Sequence, residues 1–399
     1  MKKQIFIIGC GPGAPEEITG HGAKLLEICH GVYAFDRIGD LYKDFKEGII
    51  KCSYQDIEEK IRSSKAQKMA VLVSGDVGFF SMAKRLDEKF RIDFDVFFTC
   101  GISSLQYLCS KIKLSYEDVR AVSLHGREGN LPGSIAYNRY TFVLTGGANN
   151  ASKILKDLKQ NGLSGIKVTA GELLSMPGER ILCGTVEELS EISFDSLTVL
   201  LFENENCVNR DMPLFDKELS RNETPMTKQE VRWVAVNMMK IEARDVLFDI
   251  GAGSGSVAIE MARKAHEGLV FAIEKKDNAF ELLCKNKSDL GALNVIPVFG
   301  EALEEIRKLP VPDKVFIGGS GGNLDKLVKS LYRANEDVKI LITAITLETL
   351  TEALEAFKEI NFETDIVCLN CSKSKKAGSY NMMIANNPIY IIYGEKNDK

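Results

Sequence analysis

Two glycine-rich loops hold the residues best suited to chemistry in this chain. The first, "IIGCGPGAPEE" at 7–17, spaces Gly9, Gly11 and Ala14 as in a dinucleotide-binding turn, with Asp36 standing 22 residues beyond Ala14. The second, "FDIGAGSGSVAIE" at 248–260, sets Gly251, Gly253 and Gly255 after Asp249, with Glu274 19 residues beyond Gly255. Glycines in such a loop let the backbone turn sharply and approach a ligand closely. A carboxylate at the end of the following strand can accept hydrogen bonds from ribose hydroxyls.

The first loop is a poor phosphate cradle. That role needs free backbone N–H groups and a helix that starts inside the loop. Pro12 and Pro15 each remove an N–H and fix φ. Gly20 and Gly22 delay the helix, since glycine is costly within one. The stretch Gly9 to Thr19 therefore reads as a long, rigid loop that suits the wall of a cleft, and Asp36 with Arg37 reads as a strand-end charge pair. The second loop has Ser256 where a pyrophosphate loop would want glycine or alanine. With Asp249 before it, it resembles the S-adenosylmethionine loop of class I methyltransferases.

Other chemistry-bearing residues are few. In "SLHGRE", His125 can move a proton near neutral pH and Arg127 can grip a carboxylate bidentately. A structural hydrogen bond for His125 and a pair between Arg127 and Glu128 remain the alternative. In "GGSGG" at 318–322, Ser320 and the N–H groups of Gly319 and Gly321 can hold a carboxylate, or the segment is simply a turn. Cys368 and Cys371 form a C-x-x-C with no second pair or His-x-x-x-His nearby, so they read as buried thiols and no metal is expected.

These loops need strands and helices to hold them. In the first half, apolar runs predict strands at Gln4–Ile8, Val32–Phe35, Met69–Val73, Val96–Thr99, Thr141–Thr145, Lys167–Gly171 and Leu197–Phe202. Amphipathic stretches predict helices at Gly22–Cys29, Ile57–Ser64, Gly78–Phe90, Ser103–Lys111 and Ala151–Gln160. The alternation implies parallel α/β sheets. The polar segment 203–225 reads as linker. Beyond it, Thr227 and Glu230 have capping-box spacing at the start of a helix Lys228–Lys240. Seven strands follow, at Val246–Ile250, Gly268–Ile273, Val295–Phe299, Lys314–Ile317, Val338–Ala344, Thr364–Leu369 and Ile389–Tyr393, with the last two paired closely. The two halves share no repeat beyond a glycine loop.

A chain of 399 residues, 45% apolar, accommodates two domains. The net charge of −5 gives no support for nucleic-acid binding, and the short basic run "SKSKK" at 372–376 reads as a solvated loop. No apolar run approaches the roughly 20 residues of a membrane span. After Lys2 and Lys3, the run Ile5 to Cys10 is too short for a signal segment. A cytoplasmic protein with ten reduced cysteines is expected.

Nine segments in order carry a family resemblance. "GCGPGAPEEIT", "VLVSGDVGFFSMAKRL", "CGISSLQYLCSKIKLSYEDVRAVSLHGRE" and "FVLTGGANN" resemble the tetrapyrrole (class III) methyltransferases, and more closely their precorrin-6Y branch in cobalamin biosynthesis. "PMTKQEVRWVAV", "DIGAGSGSVAIEMAR", "VFGEAL", "KVFIGGSGG" and "NNPIYII" resemble its decarboxylating partner, a class I methyltransferase. The resemblance implies a two-lobed α/β tetrapyrrole methyltransferase domain over 1–203, a linker over 204–225 and a Rossmann-like class I domain over 226–399. It also implies two S-adenosylmethionine sites, one per domain, and a corrin-precursor substrate. Carbon 5 would be methylated by the first domain. The second would methylate carbon 15 and remove carbon dioxide from the acetate on carbon 12. Association of copies through the C-terminal domain is implied as well.

Carried over by residue, Ser74, Gly75 and Asp76 of "SGD", Ser103 and Ser104 of "GISS" and Thr145 of "LTGG" match the cofactor segments of the first domain. Pro12 and Gly13 match positions facing the tetrapyrrole. In the second domain, Thr227, Gly251, Ala252, Gly253, Ser254, Gly255, Glu274 and Ala302 match cofactor positions, and Gly318 to Gly322 match the substrate side. Val77 and Cys100 stand where prolines are common in the family, which alters loop stiffness. Three other readings stay open on the residues alone. They are a class I methyltransferase acting on RNA or protein, an NAD or FAD oxidoreductase built on the first loop, and a non-catalytic sensor of S-adenosylmethionine.

Overall fold

The computed structural model describes residues 2–125 and 130–397. The chain divides into two compact units. One takes residues 1–128 and 140–203, the other residues 129–139 and 204–399.

The first unit has two sheets. Strands β1 (Gln4–Gly9), β2 (Gly31–Phe35), β3 (Ile49–Cys52), β4 (Lys68–Val73) and β5 (Asp95–Thr99) pair in the order β3-β2-β4-β1-β5, all parallel. The central strand β4, "KMAVLV", is buried from Met69 to Val73, as a strand covered by helices on both faces requires. The second sheet holds β6 (Val119–Ser123), β7 (Tyr140–Leu144), β8 (Lys167–Glu172), β9 (Arg180–Thr185) and β10 (Thr198–Glu203) in the order β6-β7-β10-β8-β9. Only β6 and β7 run parallel there, so the expectation of parallel sheets throughout is corrected. The connection between β8 and β9 is too short for a crossover helix and forces an antiparallel pair.

The second unit is built on one seven-stranded sheet. Its strands are β11 (Val246–Ile250), β12 (Leu269–Glu274), β13 (Val295–Phe299), β14 (Lys314–Ile317), β15 (Lys339–Ala344), β16 (Phe362–Leu369) and, last in the chain, β19 (Ile389–Lys396). The order is β13-β12-β11-β14-β15-β19-β16, parallel up to β15, with β19 antiparallel to both neighbours. All seven were legible as apolar runs. The remaining pair, β17 (Ser372–Ala377) and β18 (Tyr380–Ala385), forms an exposed hairpin. "SKSKK" therefore lies in a strand rather than a loop. Cys368 is exposed and Cys371 half-buried, so the C-x-x-C pair is not the buried pair expected.

Two segments join the second unit against the sequence reading. Residues 204–225 are packed, not slack: Leu214 is fully buried in its core and Leu219 nearly so. Residues 130–139, read as part of the first domain, hold the helix Leu131–Tyr137. Tyr137 donates to Asn294 Oδ1 at 2.9 Å, Asn204 Nδ2 donates to the Ile135 carbonyl at 2.9 Å, and Asn130 Nδ2 reaches the Gly268 carbonyl. No helix among the described residues is long and apolar enough to cross a membrane.

Candidate functional site

In the second unit, β11 delivers Asp249 and Ile250 to the sheet's carboxyl edge, and the loop 251–255 follows. Gly251 and Ala252 donate their N–H groups to the Ile273 carbonyl at 3.0 and 3.1 Å, which ties the loop to the neighbouring strand β12. Gly251 has φ +73°, and a Cβ there would stand 2.7 Å from the Gly319 carbonyl oxygen, so glycine is required. The helix Ser256–Lys264 starts at once, with Gly255 in the left-handed region at its N-cap.

Glu274 ends β12 beside this loop and is 8% exposed. One carboxylate oxygen accepts from Gly253 N–H at 2.9 Å, and the other accepts from the Lys275 and Lys276 N–H groups at 2.9 Å each. A carboxylate has about four lone-pair sites, so acceptor capacity remains for ribose hydroxyls. Asp249 differs. It is 1% exposed, and neither oxygen is met in full hydrogen-bond geometry among the described residues. Burial lifts its carboxyl to about 7, the Ala258 N–H offsetting this in part and the Glu274 charge adding to it.

A cleft of about 1120 Å³ opens at this edge. Gly251, Gly253, Glu274, Ala302, Gly319, Ser320 and Gly321 line it, so the structure brings these expected residues together. Ala252 and Ser254, in the same loop, are buried and do not line the cleft. Thr227 and Gly255 are not among the lining residues either. The capping box expected of Thr227 and Glu230 is corrected. Lys228 is the N-cap and makes no side-chain cap bond. The Thr227 carbonyl accepts from Arg232, and Glu230 pairs with Lys373 at 2.8 Å. Sequence reasoning missed the strap Asn222–Pro225, which lines the cleft and is held by Asn222 Nδ2 donating to the Asn278 carbonyl at 3.0 Å. Its Asn, Thr and Pro content signalled only a loop. Asp277 and Lys275, just beyond Glu274, were missed too.

In the first unit, three strand ends interlock. Gly11 and Gly75 exchange backbone hydrogen bonds at 3.2 and 2.8 Å. A Cβ on Gly101 would stand 2.3 Å from the Gly75 carbonyl oxygen and 2.6 Å from Gly9, so side chains are excluded where β1, β4 and β5 end. Asp76 accepts from Gly78 N–H at 2.8 Å and from Gly101 N–H at 3.0 Å, binding "SGD" to "GISS". Arg37, not foreseen here, donates to Ser74 Oγ at 2.8 Å. Ser103 Oγ caps the helix Ser104–Ile112 by accepting from Gln106 N–H at 3.1 Å. Thr145 is buried, with its hydroxyl donating to the Thr198 carbonyl at 2.5 Å. Gly75, Asp76, Ser103 and Ser104 are thus gathered, while the Ser103 and Thr145 hydroxyls already serve the fold.

The first glycine loop runs into a 3-10 turn, Pro15–Glu17, before the helix Gly20–Ile28 begins with Thr19 as its cap. No helix starts within it, in keeping with the poor phosphate cradle. That helix begins at Gly20 and not Gly22, because Thr19 Oγ1 accepts from Gly22 N–H. Gly13 is buried under Met176, and Ala14 N–H donates to Ser175 Oγ at 2.9 Å, while Pro12 is half-buried. His125 is exposed, its ring against Gly146 of "LTGG". Arg127 lies outside the described residues.

Comparison with known proteins places both units. Residues 4–190 match the tetrapyrrole (corrin/porphyrin) methylases, and residues 218–396 match the precorrin methyltransferase domain. A probable cobalt-precorrin-6B C(15)-methyltransferase (decarboxylating) of Pyrobaculum calidifontis is 35% identical over 170 residues, 42% of this chain and 87% of that protein. The chain belongs to the precorrin methyltransferase family. Its relative of the same description in Sulfurisphaera tokodaii is 36% identical over 184 residues, 45% of this chain and 96% of that protein. The crystal structure of a precorrin-6Y C5,15-methyltransferase from Geobacter metallireducens has 36% identity and a TM-score of 0.45, covering 47% of this chain and 97% of that one. As a precorrin methyltransferase, the chain is an S-adenosylmethionine-dependent enzyme of cobalamin biosynthesis, with a tetrapyrrole methylase fold and a Rossmann-like methyltransferase domain.

Proposed function

We propose that this precorrin methyltransferase carries two S-adenosylmethionine sites, one in each unit, and performs two methylations and a decarboxylation on one tetrapyrrole. The first unit methylates carbon 5. The second methylates carbon 15 and releases carbon dioxide from the carbon-12 acetate. One observation carries the reading. Each unit has its own set of strand ends stripped of side chains by glycine, and each matches a methyltransferase family model.

S-adenosylmethionine supplies an electrophilic methyl carbon. The chain's own residues have then to bind, orient and exclude water. In the second unit, Glu274 is suited to the ribose hydroxyls and the loop 251–255 to close approach. Gly319 to Gly321 are suited to a substrate carboxylate. In the first unit, the loops of Gly75–Asp76 and Gly101–Ser104 frame the cofactor, while the rigid Pro12–Ala14 segment walls the macrocycle. His125, beside "LTGG", is the candidate for moving a proton, and Arg127 for pairing a carboxylate. The conjugated ring provides the nucleophilic carbon and accepts the electron pair released as the acetate C–C bond breaks, so no resident metal is invoked.

We also propose that copies associate through the β17–β18 hairpin. All of its residues are exposed, including Tyr380, Met382, Met383 and Ile384, and solvated apolar surface of this kind marks an interaction site.

Calorimetry with S-adenosylmethionine tests the two-site claim. The expected stoichiometry is two per chain. Gly251→Ala should remove one site and Gly101→Ala the other, each weakening its own site at least about tenfold through backbone clash and, at Gly251, left-handed strain. A single site in the unaltered protein would sink the proposal.

A further inference from the structure

A second cavity of the second unit, about 470 Å³, shares no lining residue with the glycine-loop cleft. The two are nonetheless neighbours along one stretch of chain. Arg221 lines the cavity, Asn222 to Pro225 line the cleft, and Lys228 returns to the cavity. With Lys217 and Lys373, four cationic side chains face one space in a protein of net charge −5.

Among the described residues, the only carboxylate in that lining is Asp216, and it is already engaged. Buried Arg232 lies 3.2 Å from it and Arg221 lies 3.8 Å away. Lys373 is shared with Glu230, outside the lining. Lys217 sits over the Phe215 ring at 5.6 Å, and neither it nor Lys228 forms an ion pair among the described residues. Lys228 is also the N-cap of the helix Gln229–Met238 and leaves the first turn without a side-chain cap, so the positive end of that helix adds to the field. Several cations gathered around an under-neutralised space favour a ligand with several negative charges, and the Phe215 ring offers an apolar wall to a ring system.

We propose that this cavity anchors peripheral carboxylates of the tetrapyrrole while the reacting edge of the macrocycle enters the adjacent cleft. The proposal rests on the substrate reading above and adds the residues that hold the substrate's rim.

The double variant Lys217→Gln/Lys228→Gln tests it. With the precorrin substrate, KM should rise on the order of tenfold, since charge-assisted contacts are lost. The effect should fall on KM rather than kcat, and the dependence of KM on ionic strength should flatten. S-adenosylmethionine affinity and the melting temperature report that the fold is intact. An unchanged KM with an unchanged salt dependence would overturn the anchor. If the unaltered enzyme does not turn over the tetrapyrrole, the substrate reading itself has failed, and direct binding still decides the cavity. Benzenehexacarboxylate should then bind the unaltered protein saturably and the double variant at least several-fold more weakly. Failure of benzenehexacarboxylate to bind, or inorganic phosphate binding as tightly, would overturn a polycarboxylate site.

Discussion

Asp249 shows most directly how one residue reports on its loop. Its carboxyl, ordinarily at 3.8, is raised to about 7 by burial. Over that interval the folded protein retains a proton that the unfolded chain has released, so stability falls as pH rises from about 4 toward 7. The full effect is on the order of 4 kcal/mol at 1.36 kcal/mol per unit. Asp249→Asn removes the titration and should flatten the melting temperature between about pH 4 and pH 7. Parallel pH profiles for the two proteins would refute this account. The acid's presence before the glycines was legible in the sequence, but its isolation was not, because that depends on the covering helix Ser256–Lys264. The same limit applies to Thr227 and Glu230. Their spacing satisfies a capping box, yet Arg232 takes the Thr227 carbonyl and Lys373 takes Glu230. Both partners are set by packing and not by local spacing.

At the scale of elements, apolar runs located every strand of the seven-stranded sheet and the helix Ala151–Gln160 at its observed bounds. Ile49–Cys52, Val119–Ser123 and Arg180–Thr185 escaped because Lys51 and Arg120 interrupt two short strands and a charged residue, Arg180, opens the third. The helix Leu131–Tyr137 escaped because Pro132 and Gly133 read as a turn, although proline is tolerated in the first turn of a helix. The segment 204–225 escaped because its anchors are long-range. Arg232, fully buried, donates to Asp216 and Glu260 and to the Leu214 carbonyl, joining the segment to two helices. Burial already holds the Glu260 carboxyl above the usual range, with Arg232 opposing it. Arg232→Met should therefore cost roughly 3–5 kcal/mol by taking the buried cation from two buried carboxylates. Urea unfolding checks this, and a midpoint within error of the unaltered protein would count against the anchor.

For the whole molecule, the order of the two methyltransferase segments was readable from their motifs. The return of residues 130–139 to the second unit was not, since it depends on Tyr137 meeting Asn294 and Asn204 meeting Ile135. The hairpin was also hidden, because "SKSKK" has the composition of a solvated loop and only pairing with "YNMMIA" makes it a strand. If copies associate through that hairpin, Met383→Lys with Ile384→Lys should shift the protein to a monomer in sedimentation velocity. An unchanged sedimentation coefficient would assign the interface elsewhere. Two centres acting on one substrate fix the product's mass. It is measured after incubation of the precorrin substrate, cobalt-bound or metal-free, with methyl-labelled S-adenosylmethionine. The unaltered enzyme should give a product that gains two labelled methyls and loses one carbon dioxide, and Gly251→Ala should give one methyl and no decarboxylation. A product with a single methyl from the unaltered enzyme at completion, or decarboxylation that survives Gly251→Ala undiminished, would contradict two such centres.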